Sequence, residues 1–247
     1  MRQTELGSRY VIYDDFLPQD EFDQAVELMA RSGLADTESV ISPRLDGPAT
    51  RSRGMTFAAS IGDGKINGRP PFFSRIAQAV HGETRLFGDA GATWNKITFT
   101  YWQYPAGSRL GWHNDAGRGR EGEFILYLHR QWDISWGGEL MLIDRDPQSM
   151  LDLAGSDGAA LEAAGPDGRL RKILQDCETS PLAILPRPNR LVLVKANTVH
   201  TVRRVDHTAG DNKRCTLTGF FYRDEASRAE RRSSDRATPA ILSDAVH

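Results

Sequence analysis

The sequence predicts an α+β chain that is mainly β, an antiparallel sandwich or barrel buttressed by N-terminal helices. Three observations carry this. From Trp94 onward the period is two, with Ile97, Phe99, Tyr101 and Gln103 alternating with Lys96, Thr98, Thr100, Trp102 and Tyr104. Short runs of the same character return at 124–129, 139–143, 191–195 and 214–222, separated by Gly, Asp, Asn and Pro. Two helical patterns precede them, and helices followed by strands place the helices on one side of an antiparallel layer.

Taken in order, Tyr10-Val-Ile-Tyr13 is a β-prone run. After Asp14-Asp15, Pro18 suits the first turn of a helix whose positive end receives Asp20 and Glu21. Phe22, Ala25, Val26, Met29 and Ala30 then keep helical spacing, and Gly33 stops it. Residues 41–70, with Arg51, Arg53, Asp63, Gly64 and Gly68 among prolines, read as an irregular segment. Pro70-Pro71 open a second helix over Phe72, Phe73, Ile76, Ala79 and Val80. Residues 144–180, with the Gly165-Pro-Asp-Gly168 turn, interrupt the strand rhythm as an insertion, and both irregular segments are expected to cover an active-site mouth as lids. A polar tail occupies 224–247. The whole, 1–247, is expected to form one domain.

Composition narrows the function. Thirty-one basic against 33 acidic residues give a net charge of -2, which provides no general field for a phosphate backbone, so no nucleic-acid partner is expected. No apolar run approaches the roughly 20 residues that span a bilayer, and the opening residues lack a signal-peptide core. A soluble, cytoplasmic protein without a membrane partner is the expectation. Cys177 and Cys215 are too few for a disulfide framework and lack zinc spacing, so both are read as reduced thiols.

The chemistry lies in the strand-rich half. Gly111-Trp-His113-Asn-Asp115 aims an imidazole and a carboxylate at one face, and Leu191-Val-Leu-Val leads through a short turn to His200. Two histidines and one carboxylate form the facial triad that holds non-haem Fe(II) and leaves positions for a chelating cosubstrate and O2. If that cosubstrate is 2-oxoglutarate, its distal carboxylate needs a cation where it is buried. Arg214 opens the last strand, with Thr216 and Thr218 on its face, so a guanidinium and two hydroxyls can meet one carboxylate. Lys213, Arg203 and Arg204 remain alternatives. His129, His207 and His81 read as packed or exposed histidines, and the chain has no G-x-S-x-G elbow, P-loop or dinucleotide fingerprint.

Tyr104-Pro-Ala-Gly-Ser-Arg-Leu-Gly-Trp-His113-Asn-Asp115, Leu126-Tyr-Leu-His-Arg-Gln-Trp132 and Trp136-Gly-Gly-Glu-Leu-Met together resemble the prolyl-4-hydroxylase-like Fe(II)/2-oxoglutarate-dependent dioxygenases. The likeness runs from about Tyr10 to Tyr222. It implies a double-stranded β-helix, or jelly roll, with Fe(II) at one mouth, 2-oxoglutarate and O2 as cosubstrates, and ascorbate as a supporting reductant. It also implies that the Tyr104 and Tyr127 phenols hydrogen-bond 2-oxoglutarate. The interval from His200 to Arg214 is longer than in compact relatives, so Val205–Asn212 must form an excursion.

The resemblance implies hydroxylation as the default, because related halogenases have a small residue where Asp115 stands, with desaturation, cyclisation and epimerisation as the variant outcomes. Arg118 and Arg120, with Arg51 and Arg53, are candidates to pair an acidic substrate, and Trp112, Trp132 and Trp136 to form an apolar wall. A small molecule such as an amino-acid derivative or specialised metabolite is the preferred substrate. The alternatives are a prolyl or other side-chain hydroxylase acting on protein, a non-enzymatic metal or 2-oxoglutarate binding module, and an iron oxidase that does not use 2-oxoglutarate.

Overall fold

The computed structural model describes residues 1–39, 41–58, 66, 68–115, 117, 119–146, 174, 175 and 180–224. Its elements run β1 (Arg2–Leu6), β2 (Tyr10–Asp14), α1 (Gln19–Ala30), β3 (Ala35–Thr37), α2 (Pro43–Asp46), β4 (Ala49–Arg51), β5 (Met55–Ala58), α3 (Pro71–Gly82), α4 (Thr84–Phe87) and β6 (Lys96–Tyr104). They continue through β7 (Leu110–His113), β8 (Arg120–Tyr127), β9 (Leu140–Leu142), β10 (Leu182–Ile184), β11 (Leu191–Lys195), β12 (His200–Val202) and β13 (Arg214–Tyr222).

These strands build two antiparallel sheets. The large one runs β1-β2-β11-β8-β13-β6-β4-β3, with β5 also on β6, and the small one runs β10-β9-β12-β7. This is the jelly-roll arrangement, and its strand faces explain the order of layers. Leu191 and Leu193 of β11, Phe124 and Leu126 of β8, and Leu217 and Phe221 of β13 face outward into one core with α1 and α3. Val192, Val194, Ile125 and Tyr127 face the other way, against Leu140, Leu142 and Ile184 of the small sheet. Because both faces are covered, β11 reads as a continuous apolar run.

The two helices lie where the 3.6 period places them. Fully buried Phe72, Phe73, Ile76 and Val80 of α3 stack on Phe99 and its neighbours, each contributing about 1.5–3 kcal/mol. Between Thr218 and Phe221, β13 comes so close to β6 that a Cβ at Gly219 would stand 1.6 Å from the Thr98 carbonyl oxygen. Only glycine fits there.

Segment 41–70 departs from its irregular reading, since α2, β4 and β5 fall within it. Three- and four-residue strands are too short for alternation to show, and Pro43, Gly47, Pro48 and Gly54 dominate the pattern. Of the insertion 144–180, the described residues are Asp144–Asp146, 174, 175 and Ser180, so its reading as a lid lies outside the described residues. The same holds for 225–247 of the tail and for Cys177. Cys215 is a buried free thiol, and burial pushes it up to about 11. Among the described residues no helix is long and apolar enough to cross a membrane.

Candidate metal centre

His113 ends β7 and His200 opens β12, and the antiparallel register sets them directly opposite. Their ring centroids are 4.2 Å apart. Asp115, two residues past the end of β7, turns its carboxylate to both: Oδ2 lies 3.7 Å from His113 Nε2 and 3.5 Å from His200 Nε2. One ligand atom from each of the three lies within 4.8 Å of the others.

The imidazoles are held in one orientation by their own strands. His113 Nδ1 donates to the Gly111 carbonyl at 2.7 Å, and His200 Nδ1 to the Thr198 carbonyl at 2.9 Å. A proton on each Nδ1 leaves both Nε2 lone pairs aimed at the shared centre, which is the tautomer a metal requires. Burial, reinforced by the neighbouring His113, holds His200 at about 4, so it is neutral and available as a ligand. The turn before His200 is braced by buried Arg9, whose guanidinium donates to Thr198 Oγ1 at 3.0 Å and the Ala196 carbonyl at 2.6 Å. Thr198 Oγ1 in turn donates to the Lys195 carbonyl at 2.6 Å.

A third acid, Glu123 on β8, stands at this centre. It is 8% exposed, with Oε1 3.3 Å from His200 Nε2. Burial, then the adjacent Asp115 carboxylate, raises its pKa well above the ordinary range. Arg120 donates to the Asp115 carbonyl at 3.3 Å, lies 3.6 Å from Asp115 Oδ1 and stacks 3.9 Å over the Phe220 ring.

At the other end of the same cavity Arg214 is 2% exposed and makes no ion pair with a described carboxylate. Its Nε donates to the Gly138 carbonyl at 2.8 Å and one terminal nitrogen to the Tyr127 hydroxyl at 3.2 Å, which leaves further N–H groups of the fork free of described partners. Beside it Thr216 Oγ1 is buried without a hydrogen-bond partner. A buried cation and an orphaned hydroxyl on one strand face fit an incoming carboxylate, which would satisfy both. Tyr104 lies with its ring 5.9 Å from the guanidinium, and burial pushes its phenol up to about 12.

His113, Asp115, His200, Glu123, Arg214 and Thr216 all line one cavity of about 440 Å³. Thr218 lines its middle, while Thr37, Glu38, Ser39, Ile41 and Arg51 form part of its rim. Among the substrate candidates, Arg120 lines the wall next to Asp115 and Arg51 stacks on Trp102, and Arg118 lies outside the described residues. The apolar wall differs from the sequence reading. Trp132 and Trp136 pack on each other behind the cavity wall, in one apolar cluster with Trp102 and Tyr104, and Trp112 lines an outer groove, whereas Trp102 and Phe220 line the cavity itself. His129 is buried away from the metal centre, donating from Nε2 to the Pro186 carbonyl at 2.6 Å and accepting from Cys215 N at Nδ1. Val205–Asn212 forms the expected excursion, a single 3-10 turn over His207–Ala209 that Asp206 caps. Sequence reasoning missed Glu123, although an acid in phase with Ile125 and Tyr127 on an apolar strand was a visible signal.

A jelly roll that gathers two imidazoles and a carboxylate at its mouth, with a buried arginine deeper in the cavity, has the build of a non-haem iron protein with an anionic cosubstrate. The family model described as the 2OG-Fe(II) oxygenase superfamily matches residues 99–222, half of the chain, and the chain belongs to that superfamily. It is therefore an oxidoreductase that uses Fe(II), 2-oxoglutarate and O2. Solved structures of similar fold include a prolyl-4-hydroxylase from Pseudomonas putida, at 18% identity and TM-score 0.52, covering 87% of this chain and 92% of that one. Another is a prolyl hydroxylase from Trichoplax adhaerens in complex with a hypoxia inducible factor peptide fragment, at 19% identity and TM-score 0.52, covering 90% and 87%. The alpha-ketoglutarate-dependent epimerase SnoN from nogalamycin biosynthesis matches at 14% identity and TM-score 0.51, covering 96% and 88%. No curated protein matches this chain.

Proposed function

We propose that this oxygenase hydroxylates an unactivated C–H bond of a small molecule, with His113, Asp115 and His200 as the iron ligands and Arg214 as the clamp for 2-oxoglutarate. With iron bound, the reaction puts one atom of O2 into the substrate C–H bond and the other into succinate, as 2-oxoglutarate loses CO2. The residues of this chain bind, orient and shield. Arg214 and the Thr216 hydroxyl receive the distal carboxylate, Tyr127 holds the guanidinium in place, and Thr218 lies one row nearer the metal along the same strand face. Tyr104 serves as the wall behind the guanidinium. The carbonyls of Gly111 and Thr198 keep both imidazoles facing the metal, so an aligned centre waits for the substrate.

The observation that supports a small substrate is the cavity's own wall. Residues 37–39 and 41–51, ahead of the main strands, contribute to the cavity wall, with Arg109 N donating to the Asp46 carbonyl at 2.7 Å to pin that segment to the entrance of β7. A volume of about 440 Å³ accommodates 2-oxoglutarate with a compact metabolite beside it. Arg120 and Arg51 supply positive charge near the substrate.

The test is an aerobic incubation with Fe(II), ascorbate and 2-oxoglutarate, screening metabolites and peptides for stimulated succinate release and a mass gain of one oxygen. A small molecule that gains one oxygen supports the reading. Stimulation by polypeptides alone replaces it with a protein hydroxylase, and the absence of succinate under any condition removes it.

A further inference from the structure

Among the described residues four arginines line the cavity, and three of them have a task. Arg214 stands at the deep end, where the distal carboxylate of the cosubstrate is proposed to bind. Arg109 lies 3.3 Å from the carboxylate of Asp46, and Arg120 lies 3.6 Å from that of Asp115. Arg51 is the fourth. It is exposed to the cavity mouth and makes no ion pair with a described carboxylate; Glu38, which shares the same rim, is not paired with it.

Arg51 is nonetheless held in place, by an aromatic ladder that crosses the cavity wall. Its guanidinium lies 5.6 Å from the Trp102 ring centroid. Trp102 stacks on Tyr104 with centroids 5.9 Å apart and planes 16° apart, and Tyr104 in turn faces Arg214 at 5.9 Å. Strand register explains the ladder, since Arg51 pairs with Trp102 across β4 and β6, and Tyr104 pairs with Arg214 across β6 and β13. A contact with an aromatic face orients a guanidinium but neutralises none of its charge. The N–H fork stays available, and a planar carboxylate is the anion whose geometry and single charge match it.

The same register places this cation far from the metal. Glu123, whose Oε1 is 3.3 Å from His200 Nε2, pairs with Phe220, and Phe220 N donates to Thr98 Oγ1 at 2.8 Å, so the row of Thr98 and Phe220 marks the metal end. Arg51 belongs to the row of Trp102, which lies further along β6 by about 13 Å at the ordinary rise of a strand. Thr98 and Thr100 line the stretch between them.

We infer that Arg51 is a specificity-determining residue of the substrate site, and that it receives a carboxylate carried by the substrate at the end remote from the carbon to be oxidised. The inference rests on the small-molecule reading above and narrows its substrate class to carboxylic acids. Arg53, two residues on, is exposed and does not line the cavity, so it serves as the control.

The experiment pairs aliphatic, aromatic and N-acyl amino acid monocarboxylates with their methyl esters as probes of the iron-loaded enzyme, read by succinate release above the substrate-free rate and by product mass and fragmentation. The expected result is stimulation by at least one free acid, reduced at least ten-fold by esterification, with the new oxygen on a carbon other than the α-carbon. In Arg51→Gln the KM for that acid rises at least ten-fold while kcat changes far less, the signature of a contact remote from the reacting atoms. Arg53→Gln keeps KM within about three-fold of the parent. Thermal melts with manganese(II) show the same 2-oxoglutarate-dependent shift in Arg51→Gln as in the parent.

Equal stimulation by acids and esters, an unchanged KM in Arg51→Gln, oxidation at the α-carbon, or succinate released without substrate but stimulated by no acid overturns the inference. So does loss of the 2-oxoglutarate-dependent shift in Arg51→Gln, which would make Arg51 a cosubstrate residue. Failure of the underlying reading looks different: succinate is then absent with every probe and without one, or is stimulated by polypeptides alone.

Discussion

Replacing Arg214 by methionine separates the proposed clamp for the cosubstrate from the scaffold that carries it. The side chain is 2% exposed, donates to the Gly138 carbonyl and the Tyr127 hydroxyl, and pairs with no described carboxylate. Removing the charge relieves a desolvation penalty of several kcal/mol. Against this stand two lost hydrogen bonds from a charged donor, about 1.5–3 kcal/mol each. These terms oppose, so the stability of the ligand-free protein should change by no more than about 2 kcal/mol. Methionine keeps most of the volume, which prevents a large cavity term.

Cosubstrate binding responds very differently. At a 2-oxoglutarate concentration of about 100 times its dissociation constant, the parent gains about 2.7 kcal/mol, a rise of roughly 5–11 °C in melting temperature for a chain of this size. Losing one partner of a buried charge pair costs about 2–5 kcal/mol, so the variant's shift at the same concentration falls below about 1 kcal/mol. Thermal melts with manganese(II) in place of iron, with and without 2-oxoglutarate, read both quantities without turnover. Lys213→Met and Arg203→Met should keep the parent's shift. If Arg214→Met keeps it, the assignment of the clamp is wrong; if the ligand-free variant fails to fold, the balance of opposing terms is wrong.

Three further outcomes follow from named contacts. Asp115→Ala should weaken cobalt(II) binding at least 100-fold by absorption titration and end substrate-dependent succinate release, because it removes the anionic donor of the triad. Asp14 takes two hydrogen bonds from the Arg190 guanidinium, at 2.6 and 2.9 Å, which holds its pKa below the ordinary carboxylate value. That stability is present above about pH 4 and is lost as pH falls through the folded-state value, and Asp14→Ala should cost about 3–5 kcal/mol in urea at pH 7. Burial holds His129 at about 4 against an unfolded value of 6.5, so its contribution is complete above pH 6.5 and falls as acid is added. Unfolding free energies from urea titrations at pH 7 and pH 5 should differ by about 2 kcal/mol less in His129→Asn than in the parent.

Periodicity made the larger elements legible in the sequence. The alternation of 96–104, the apolar run of 191–195 and the spacing of Phe72, Phe73, Ile76 and Val80 gave β6, β11 and α3 because each is long enough for its period to repeat. Strands of three or four residues, β3, β4, β5, β10 and β12, carry no more than one and a half to two periods, and proline and glycine around them argue for loops. The metal centre was legible as a pattern of residue types, His113, Asp115 and His200, although the opposition of the two histidines depends on a register that no local signal contains. That Arg214 shares a strand face with Thr216 and Thr218 was legible from their spacing, and all three line the cavity. The backbone carbonyls that fix the imidazoles, and the brace from Arg9 to the 196–198 turn, join residues as much as 189 positions apart, and pairings of that range leave no trace in composition or spacing.

The site and the core are one constraint, and β8 shows why. Phe124 and Leu126 point outward to the helices while Glu123, Ile125 and Tyr127 face the other way, Glu123 and Ile125 lining the cavity and Tyr127 placing its hydroxyl on Arg214. Because side chains alternate strictly along a strand, a one-residue slip would send the phenol and the acid into the helix-covered core and the two large apolar groups into the cavity. Gly122 helps to forbid that slip, since a Cβ there would meet the Phe221 ring at 2.3 Å and the Val194 carbonyl oxygen at 2.6 Å. The apolar packing that stabilises the sheet is therefore what places an acid beside the candidate metal ligands and a phenol on the arginine. A Gly122→Val substitution should consequently lower stability and impair manganese-dependent 2-oxoglutarate binding together, although Gly122 touches neither; thermal melts showing loss of one without the other would break this link.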